Sequence, residues 1–415
     1  MFSSYFEIRA FVPSWDKAIV LCAVNIVVTV SFGCENMRIA MVGDEFYPDV
    51  GGAPLYTMEL SAAMARSGAE PIVITHAHPY QPEEEMFGNV RVERLRGFVL
   101  PRLNRAASIG IAASLHKCIK SGGFDVVHGQ DMYSPMAMFS IYSAHKRKIP
   151  SVLTCHSIHK SSGVWKLFYQ PEVFMMKRAD YIIVVSNVSR DFCIKLGVPN
   201  NKIMVAPNGV DLSKFNPNID GSAIRESLGL EDEPLVATAI RLVKRKGPGH
   251  LVAAFSKVLE NIPNAKLAIA GKGPEMDNLR AQIKRLRIEK SVFILGALLH
   301  AKVAELMSAA NVFVLPSLME SFPLTAVEAM AVGVPIVCPR IGGIPEIVTE
   351  QSNGLMFPPA DDDALADAIV RVLEDRRLAS HLRKNGLKTA REKFSWEVAA
   401  SRTLEIYEMA REKYA

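Results

Sequence analysis

The chain has 415 residues, 49% of them hydrophobic and 22% charged, with a net charge of +5 and a pI near 8.8. That length accommodates two or three domains with substantial cores, and the composition is ordinary for a soluble globular protein. The mildly basic balance is too weak to argue for nucleic acid; it fits anionic substrates or an anionic membrane surface. Cys22, Cys34, Cys118, Cys155, Cys193 and Cys338 contain no Cys-x-x-Cys pair. They read as reduced core residues, with neither a disulfide framework nor a zinc site implied.

Residues 1–36 stand apart. Ala18 to Phe32 is almost wholly apolar, yet short of the roughly 20 residues that a membrane span needs. A signal-peptide core, a weak anchor and upstream sequence ahead of a fold opening at Met37 are the three readings; the last is adopted. From Met37 strand and helix patterns alternate. Strands are expected at Arg38–Val42, Pro71–Thr75, Val90–Leu95, Asp125–His128, Ser151–Cys155, Tyr181–Val185 and Ile203–Ala206, with a helix from about Leu55 to Arg66 closed by Gly68. A turn cluster, Pro207-Asn208-Gly209-Val210-Asp211, leads into a polar stretch ending at Pro234. A second series follows, with strands at Leu235–Ile240, Lys266–Ala270, Val292–Leu295, Val312–Leu315 and Ile336–Cys338, and helix beyond Asp361. Alternation of this kind implies parallel sheets covered on both faces. The expected architecture is α/β: two Rossmann-like, doubly wound domains facing a cleft, at 37–210 and 211–390. An amphipathic helix at 391–415, with Val398, Leu404, Ile406 and Met409 as apolar positions, is expected to cross back to the first domain.

The chemistry concentrates in Phe313 to Val348. Glu320 lies on the loop after a strand. Ser321 is placed to cap a helix whose first turn holds Pro323 and whose end is set by Gly333. Glu328 falls inside that helix. Backbone N–H groups at the helix start, beyond the strand ends, favour an anion. Two carboxylates at Glu-x7-Glu spacing beside such a pocket point to a ligand carrying hydroxyls and phosphates, of which a nucleotide sugar is one. Other strand-end loops add to this. Gly51-Gly52 either lets backbone approach a phosphate or makes a tight turn. Arg241 and Lys246 either neutralise a diphosphate or form a solvated basic loop. Gly271, Gly273 and Glu275 line a nucleotide pocket or a plain turn, and Gly342-Gly343 is similar. His156 ends the strand Ser151–Cys155 and faces the same cleft; His128 is placed likewise and reads as structural. The basic stretch Arg91–Lys120 reads as a solvated face rather than a membrane-lying segment. Asp361-Asp362-Asp363 reads as helix-start acidity. No metal motif accompanies the strand ends, so no metal and no cofactor is expected.

In this order these residues resemble the GT4 type of glycosyltransferase, with the two-domain GT-B fold, over about residues 37–415. The Glu320-to-Glu328 motif is the strongest match, joined by Gly51-Gly52, His156, Pro207-Asn208-Gly209-Val210-Asp211, Arg241 with Lys246-Gly247, and Gly271-x-Gly-x-Glu275. Ile240 departs from the pattern, which usually has Gly there. The resemblance implies that Arg241, Lys246 and Gly52 hold the donor diphosphate, Glu328 the ribose hydroxyls, and Glu320 with the amides of Phe322, Pro323 and Leu324 the donor sugar, with His156 near the reacting carbon. It implies retention of anomeric configuration without a metal. Four stretches, among them Gly296-Ala297-Leu298-Leu299-His300 and Arg340 to Glu346, are similar to the phosphatidylinositol N-acetylglucosaminyltransferase branch. This favours a UDP-sugar donor and a lipid or small-molecule acceptor. A sugar-nucleotide epimerase and a GDP-mannose-dependent mannosyltransferase are the alternatives. The expected location is the cytoplasm, with peripheral contact at the inner face of the membrane and no nucleic-acid partner.

Overall fold

The computed structural model describes residues 36–44, 46–47, 52–77, 80–97, 99–100, 105–106, 109–156 and 169–415. The stretch before Asn36, and Gly51, therefore lie outside the described residues. Sixteen strands are described: Arg38–Val42 (β1), Glu70–His76 (β2), Glu84–Phe87 (β3), Val90–Leu95 (β4), Val99–Leu100 (β5), Arg105–Ala106 (β6), Val126–Gln130 (β7), Ser151–Cys155 (β8), Tyr181–Val184 (β9), Ile203–Val205 (β10), Leu235–Ala239 (β11), Lys266–Ala270 (β12), Val292–Gly296 (β13), Val312–Val314 (β14), Ile336–Pro339 (β15) and Leu355–Phe357 (β16). The first sheet runs β10-β9-β8-β7-β1-β2-β4-β3 and the second β13-β12-β11-β14-β15-β16, with β5 and β6 as a small separate pair. Pairing in both large sheets is parallel except at β3, which lies antiparallel on β4.

The central strands are continuous apolar runs because helices cover both faces. In β1, Ile39, Ala40, Met41 and Val42 are all fully buried, as are Val312, Phe313 and Val314 in β14. Each sheet reverses its winding direction once. In the first, the chain leaves β1 for β2 and later returns to β7 on its other side; in the second, it leaves β11 for β12 and returns to β14. Ligands gather outside strand ends at such reversals. The reversal between β11 and β14 sets the loop after β11, with Lys246, beside the loop after β14, with Glu320.

The final helix, Trp396–Arg411, crosses onto the first sheet's side, as the amphipathic pattern predicts. Val210 N–H donates to the Phe394 carbonyl at 2.7 Å, and Val210 bridges to Ser395. Ser395 then caps the helix by accepting from Val398 N–H. Leu404 and Ile406 are buried as expected, whereas Met409 is 36% exposed and the largest fully buried side chain is Tyr407, at 0%. Four strands escape the pattern reading: β3, the two-residue β5 and β6, and β16. β3 places one glutamate and one apolar residue on each face, and its Glu84 and Glu85 are matched by Arg91 and Arg94 on β4 at 3.1 and 2.6 Å. β16 is three residues long. The cations of the β4 region are thus engaged in strand pairing, with the Arg94 side chain fully buried. Cys118, Cys155, Cys193 and Cys338 form no disulfide. Asp361 caps the helix Asp362–Glu374, accepting from Ala364 N–H.

Candidate active site

Four loops of the second sheet meet at the C-terminal ends of its strands, and glycine lets them touch backbone to backbone. A Cβ on Gly271 would lie 1.8 Å from the Ile240 carbonyl oxygen, and one on Gly273 2.2 Å from that of Leu242. Those contacts hold the loop after β12 against the loop that carries Arg241; Leu242 N–H donates to the Lys272 carbonyl at 3.0 Å and Glu275 N–H to the Leu242 carbonyl at 3.0 Å. Gly342, at φ +56°, and Gly343 do the same for the loop after β15. A Cβ on Gly342 would collide with the Glu320 carbonyl oxygen at 1.9 Å, and one on Gly343 with that of Ser321 at 2.0 Å. Gly343 N–H donates to the Glu320 carbonyl at 3.2 Å.

This pinning overrides the expected cap. Ser321 is held in the loop, and the helix runs Leu324–Val332 with Pro323 at the N-cap and no side-chain cap bond. The first-turn amides are therefore left without a side-chain acceptor, which is what an anion at a helix start requires. The remainder of that helix is buried on all sides, Glu328 included at 5% exposure. Gly333 ends it at φ +85°.

Both glutamates hold a cationic or potentially cationic partner. Lys246 Nζ lies 2.5 Å from Glu320 Oε1, and Ser317 Oγ donates to the same oxygen at 2.7 Å. Glu320 is 7% exposed. Glu328 Oε1 lies 2.9 Å from His300 Nε2. That bond raises the His300 pKa above its usual value, against the opposing effect of burial. Arg241 is exposed and enters no ion pair among the described residues. Phe322 turns its ring edge towards Phe394 at 5.7 Å, beside the crossing to the final helix.

On the first-domain side, Gly52 opens the helix Gly52–Arg66 and is exposed, with nothing within 4 Å of a Cβ. His156 follows β8 directly. Its ring meets Tyr56 of that helix edge-on at 4.4 Å, and its Nε2 is sealed from solvent without a hydrogen-bond partner among the described residues. Burial pushes its pKa down to about 4, so the imidazole is neutral at physiological pH. His128 is a core residue: Nδ1 meets Tyr407 Oη and Nε2 meets Thr154 Oγ1, both at 2.6 Å. The two halves touch across the cleft through Glu346, whose carboxylate accepts from Asn187 N–H at 2.9 Å and Nδ2 at 2.8 Å, and through Lys214 Nζ to Glu59 at 2.7 Å.

Sequence reasoning missed His300, Ser317, Tyr56 and Tyr407. His300 begins a helix after β13; it closes the stretch Gly296–His300 that resembles one branch of the family, but nothing in that stretch assigns it a partner or a role. Ser317 is three residues from Glu320, and Tyr56 and Tyr407 lie inside helices with no local signature to single them out.

Comparison with known proteins fits this geometry. The family model for group 1 glycosyl transferases matches residues 220–389, and that for glycosyltransferase family 4 matches residues 50–214. A glycosyltransferase of Methanocaldococcus jannaschii is 31% identical over 391 residues, covering 91% of this chain and 99% of that protein. A phosphatidylinositol N-acetylglucosaminyltransferase component of Arabidopsis thaliana is 26% identical over 384 residues, 90% of this chain and 82% of that protein. The structure of sucrose-phosphate synthase from Thermosynechococcus elongatus superposes with a TM-score of 0.72 at 27% identity, over 91% of this chain and 100% of that one. Two parallel sheets with a shared cleft, paired glutamates at the reversal of the second and matches along nearly the whole chain lead to one conclusion: the chain belongs to the GT4 glycosyltransferases of the GT-B fold.

Proposed function

We propose that this enzyme is a retaining glycosyltransferase that moves a hexose, N-acetylglucosamine in the favoured reading, from a UDP-sugar to a hydroxyl of a lipid or small-molecule acceptor. The observation that carries the reading is the meeting of Lys246 with Glu320 at the reversal of the second sheet. A cation for a diphosphate and a carboxylate for sugar hydroxyls share one point. The name of the Arabidopsis relative supports N-acetylglucosamine and a lipid acceptor.

In this reading Arg241 and Lys246 take the donor diphosphate. Gly51 and Gly52 approach it from the first domain, whose helix start adds a favourable field. Lys246 exchanges Glu320 for phosphate, and Glu320 turns to the sugar together with the amides of Phe322 and Leu324 beside Pro323. Glu328 accepts from the ribose. Gly271, Gly273 and Glu275 shape the nucleotide pocket by fixing the Arg241 loop. The bond between the anomeric carbon and the diphosphate oxygen breaks, and the acceptor oxygen bonds to the same face. The acceptor proton passes to the departing oxygen. The two cations stabilise the charge that develops there, which assigns to protein groups the task a metal would otherwise perform. His156, neutral and with Nε2 unfilled, is placed to bond a donor hydroxyl or phosphate. The enzyme works in the cytoplasm and meets its lipid acceptor at the inner membrane face; among the described residues no helix is long and apolar enough to cross a membrane.

An epimerase would isomerise the donor without an acceptor, and the relatives named above are transferases and synthases. The test is incubation with UDP-N-acetylglucosamine and membrane lipids, in EDTA, with the product anomer read by NMR. An α-linked product in the presence of acceptor is expected. Absence of thermal stabilisation by any UDP-, GDP- or ADP-sugar sinks the proposal.

A further inference from the structure

Glu328 is the one charged residue of its helix and has apolar neighbours on either side: Ala326, Val327, Ala329, Met330, Ala331 and Val332 are all buried around it. A charge in such surroundings must find a partner, become protonated or turn towards water. Its partner is His300, through Nε2 and Oε1 at 2.9 Å. The imidazole is itself fixed. Its edge meets the Phe215 ring at 4.8 Å between centroids, and Phe215 is 1% exposed in the core of the second domain. The other charges near it come from two elements. Lys214 precedes Phe215 and binds Asp211 at 2.8 Å and Glu59, on the helix Gly52–Arg66 of the first domain, at 2.7 Å. Those charges act on the ring in opposite directions, Lys214 lowering and Glu59 raising its proton affinity, and both act less than Glu328.

Only one of the two carboxylate oxygens is thereby committed. Oε2 makes no bond within the protein among the described residues. We propose that His300 is a positioning residue of the donor site, which orients Glu328 through Oε1 so that Oε2 is presented to a ribose hydroxyl. This rests on the reading of Glu328 as the ribose-binding residue. His300 then governs how tightly the nucleoside part of the donor is held, and it takes no part in the transfer step. A carboxylate deprived of this bond samples other rotamers and loses preorganisation, so the loss falls on nucleoside recognition rather than on the diphosphate.

The experiment is calorimetric titration with UDP, 2′-deoxy-UDP and pyrophosphate, on wild type, His300→Ala, His300→Gln, Glu328→Gln and the His300→Ala/Glu328→Gln double variant. His300→Ala should weaken UDP about tenfold, the loss of one hydrogen bond to a charged group. It should leave pyrophosphate unchanged and shrink the preference for UDP over 2′-deoxy-UDP. His300→Gln, which keeps an N–H donor, should recover most of the affinity and guards against a folding failure of the alanine variant. In the Glu328→Gln background His300→Ala should add no more than about twofold. In transfer assays His300→Ala should raise the donor KM and keep kcat. Equal weakening of UDP and pyrophosphate overturns the inference, as does an undiminished effect in the Glu328→Gln background. Wild-type protein that binds neither UDP nor pyrophosphate overturns the donor-site reading and this inference with it; wild type that binds UDP beside a His300→Ala variant that binds it equally well overturns this inference alone.

Discussion

On the function proposed above, Glu320→Gln separates two roles that meet at one carboxylate. Lys246 must leave Glu320 before it can hold a diphosphate. Their contact is 2.5 Å long, with side chains 21% and 8% exposed. A hydrogen bond to a charged group contributes about 1.5–3 kcal/mol net, and a neutral one about 1 kcal/mol. The glutamine amide keeps the shape and still accepts from Ser317 Oγ, so the fold is retained while release of Lys246 becomes about 1 kcal/mol cheaper. UDP, which has no sugar, should then bind about fivefold more tightly. Transfer should move in the opposite direction. The donor sugar loses a charged acceptor, and turnover should fall about 100-fold, corresponding to roughly 2.7 kcal/mol in the barrier. Calorimetry with UDP and initial rates with the UDP-sugar, both at one fixed ionic strength, measure the two effects on the same preparation. A variant that binds UDP tenfold more weakly refutes the competition between Glu320 and phosphate for Lys246. A variant with unchanged turnover refutes the role of Glu320 towards the sugar.

Two further outcomes follow from the same geometry. Burial lowers the pKa of His128 to about 3, with the neighbouring His156 acting the same way, and that of His156 to about 4. Both are depressed below the unfolded value of about 6.5, so the stability they permit is complete above that pH and is lost as pH falls towards the folded values; at pH 5 each costs about 2 kcal/mol. Urea midpoints at pH 8 and pH 5 should differ accordingly, and equal midpoints would count against the buried, neutral state. Gly342→Ala places a Cβ 1.9 Å from the Glu320 carbonyl oxygen at φ +56°, so the Glu320 loop must shift. A stability loss of about 1–3 kcal/mol should accompany a fall in transfer at least tenfold; retained transfer with a lowered melting temperature would show that the loop position is not needed for the reaction.

Much of the architecture was legible because its signals are local. Continuous apolar runs marked the central strands, Gly333 marked the helix end, and the switch from strand loop to helix placed Glu320 and Glu328 on different elements. What was not legible depends on sheet order. Lys246 and Glu320 are 74 residues apart, and they meet because β14 lies beside β11 rather than beyond β13. Alternation alone does not give that order. His128 and Tyr407 are 279 residues apart, and their pairing exists only because the final helix crosses over. The misplaced cap has the same origin. Ser321 has good capping chemistry, but Gly343 approaches its backbone so closely that the loop geometry is decided by a contact 22 positions away rather than by local preference.

The helix Gly52–Arg66 ties the first-domain half of the site to the rest of the molecule. Gly52 opens it at the cleft. Tyr56 stands between His156 at 4.4 Å and Trp396 at 5.7 Å. Glu59 binds Lys214 at 2.7 Å and Arg66 binds Glu397 at 2.9 Å. Gly52, the histidine at the strand end and the start of the crossing helix therefore all border one element. The chain passes between the halves at Val210 and again at Phe394–Ser395, and the two passages are hydrogen-bonded to each other. On the proposed reading, the pinned loops of the second domain hold the donor, while the helix Gly52–Arg66 and the His156 packed on it border it from the first.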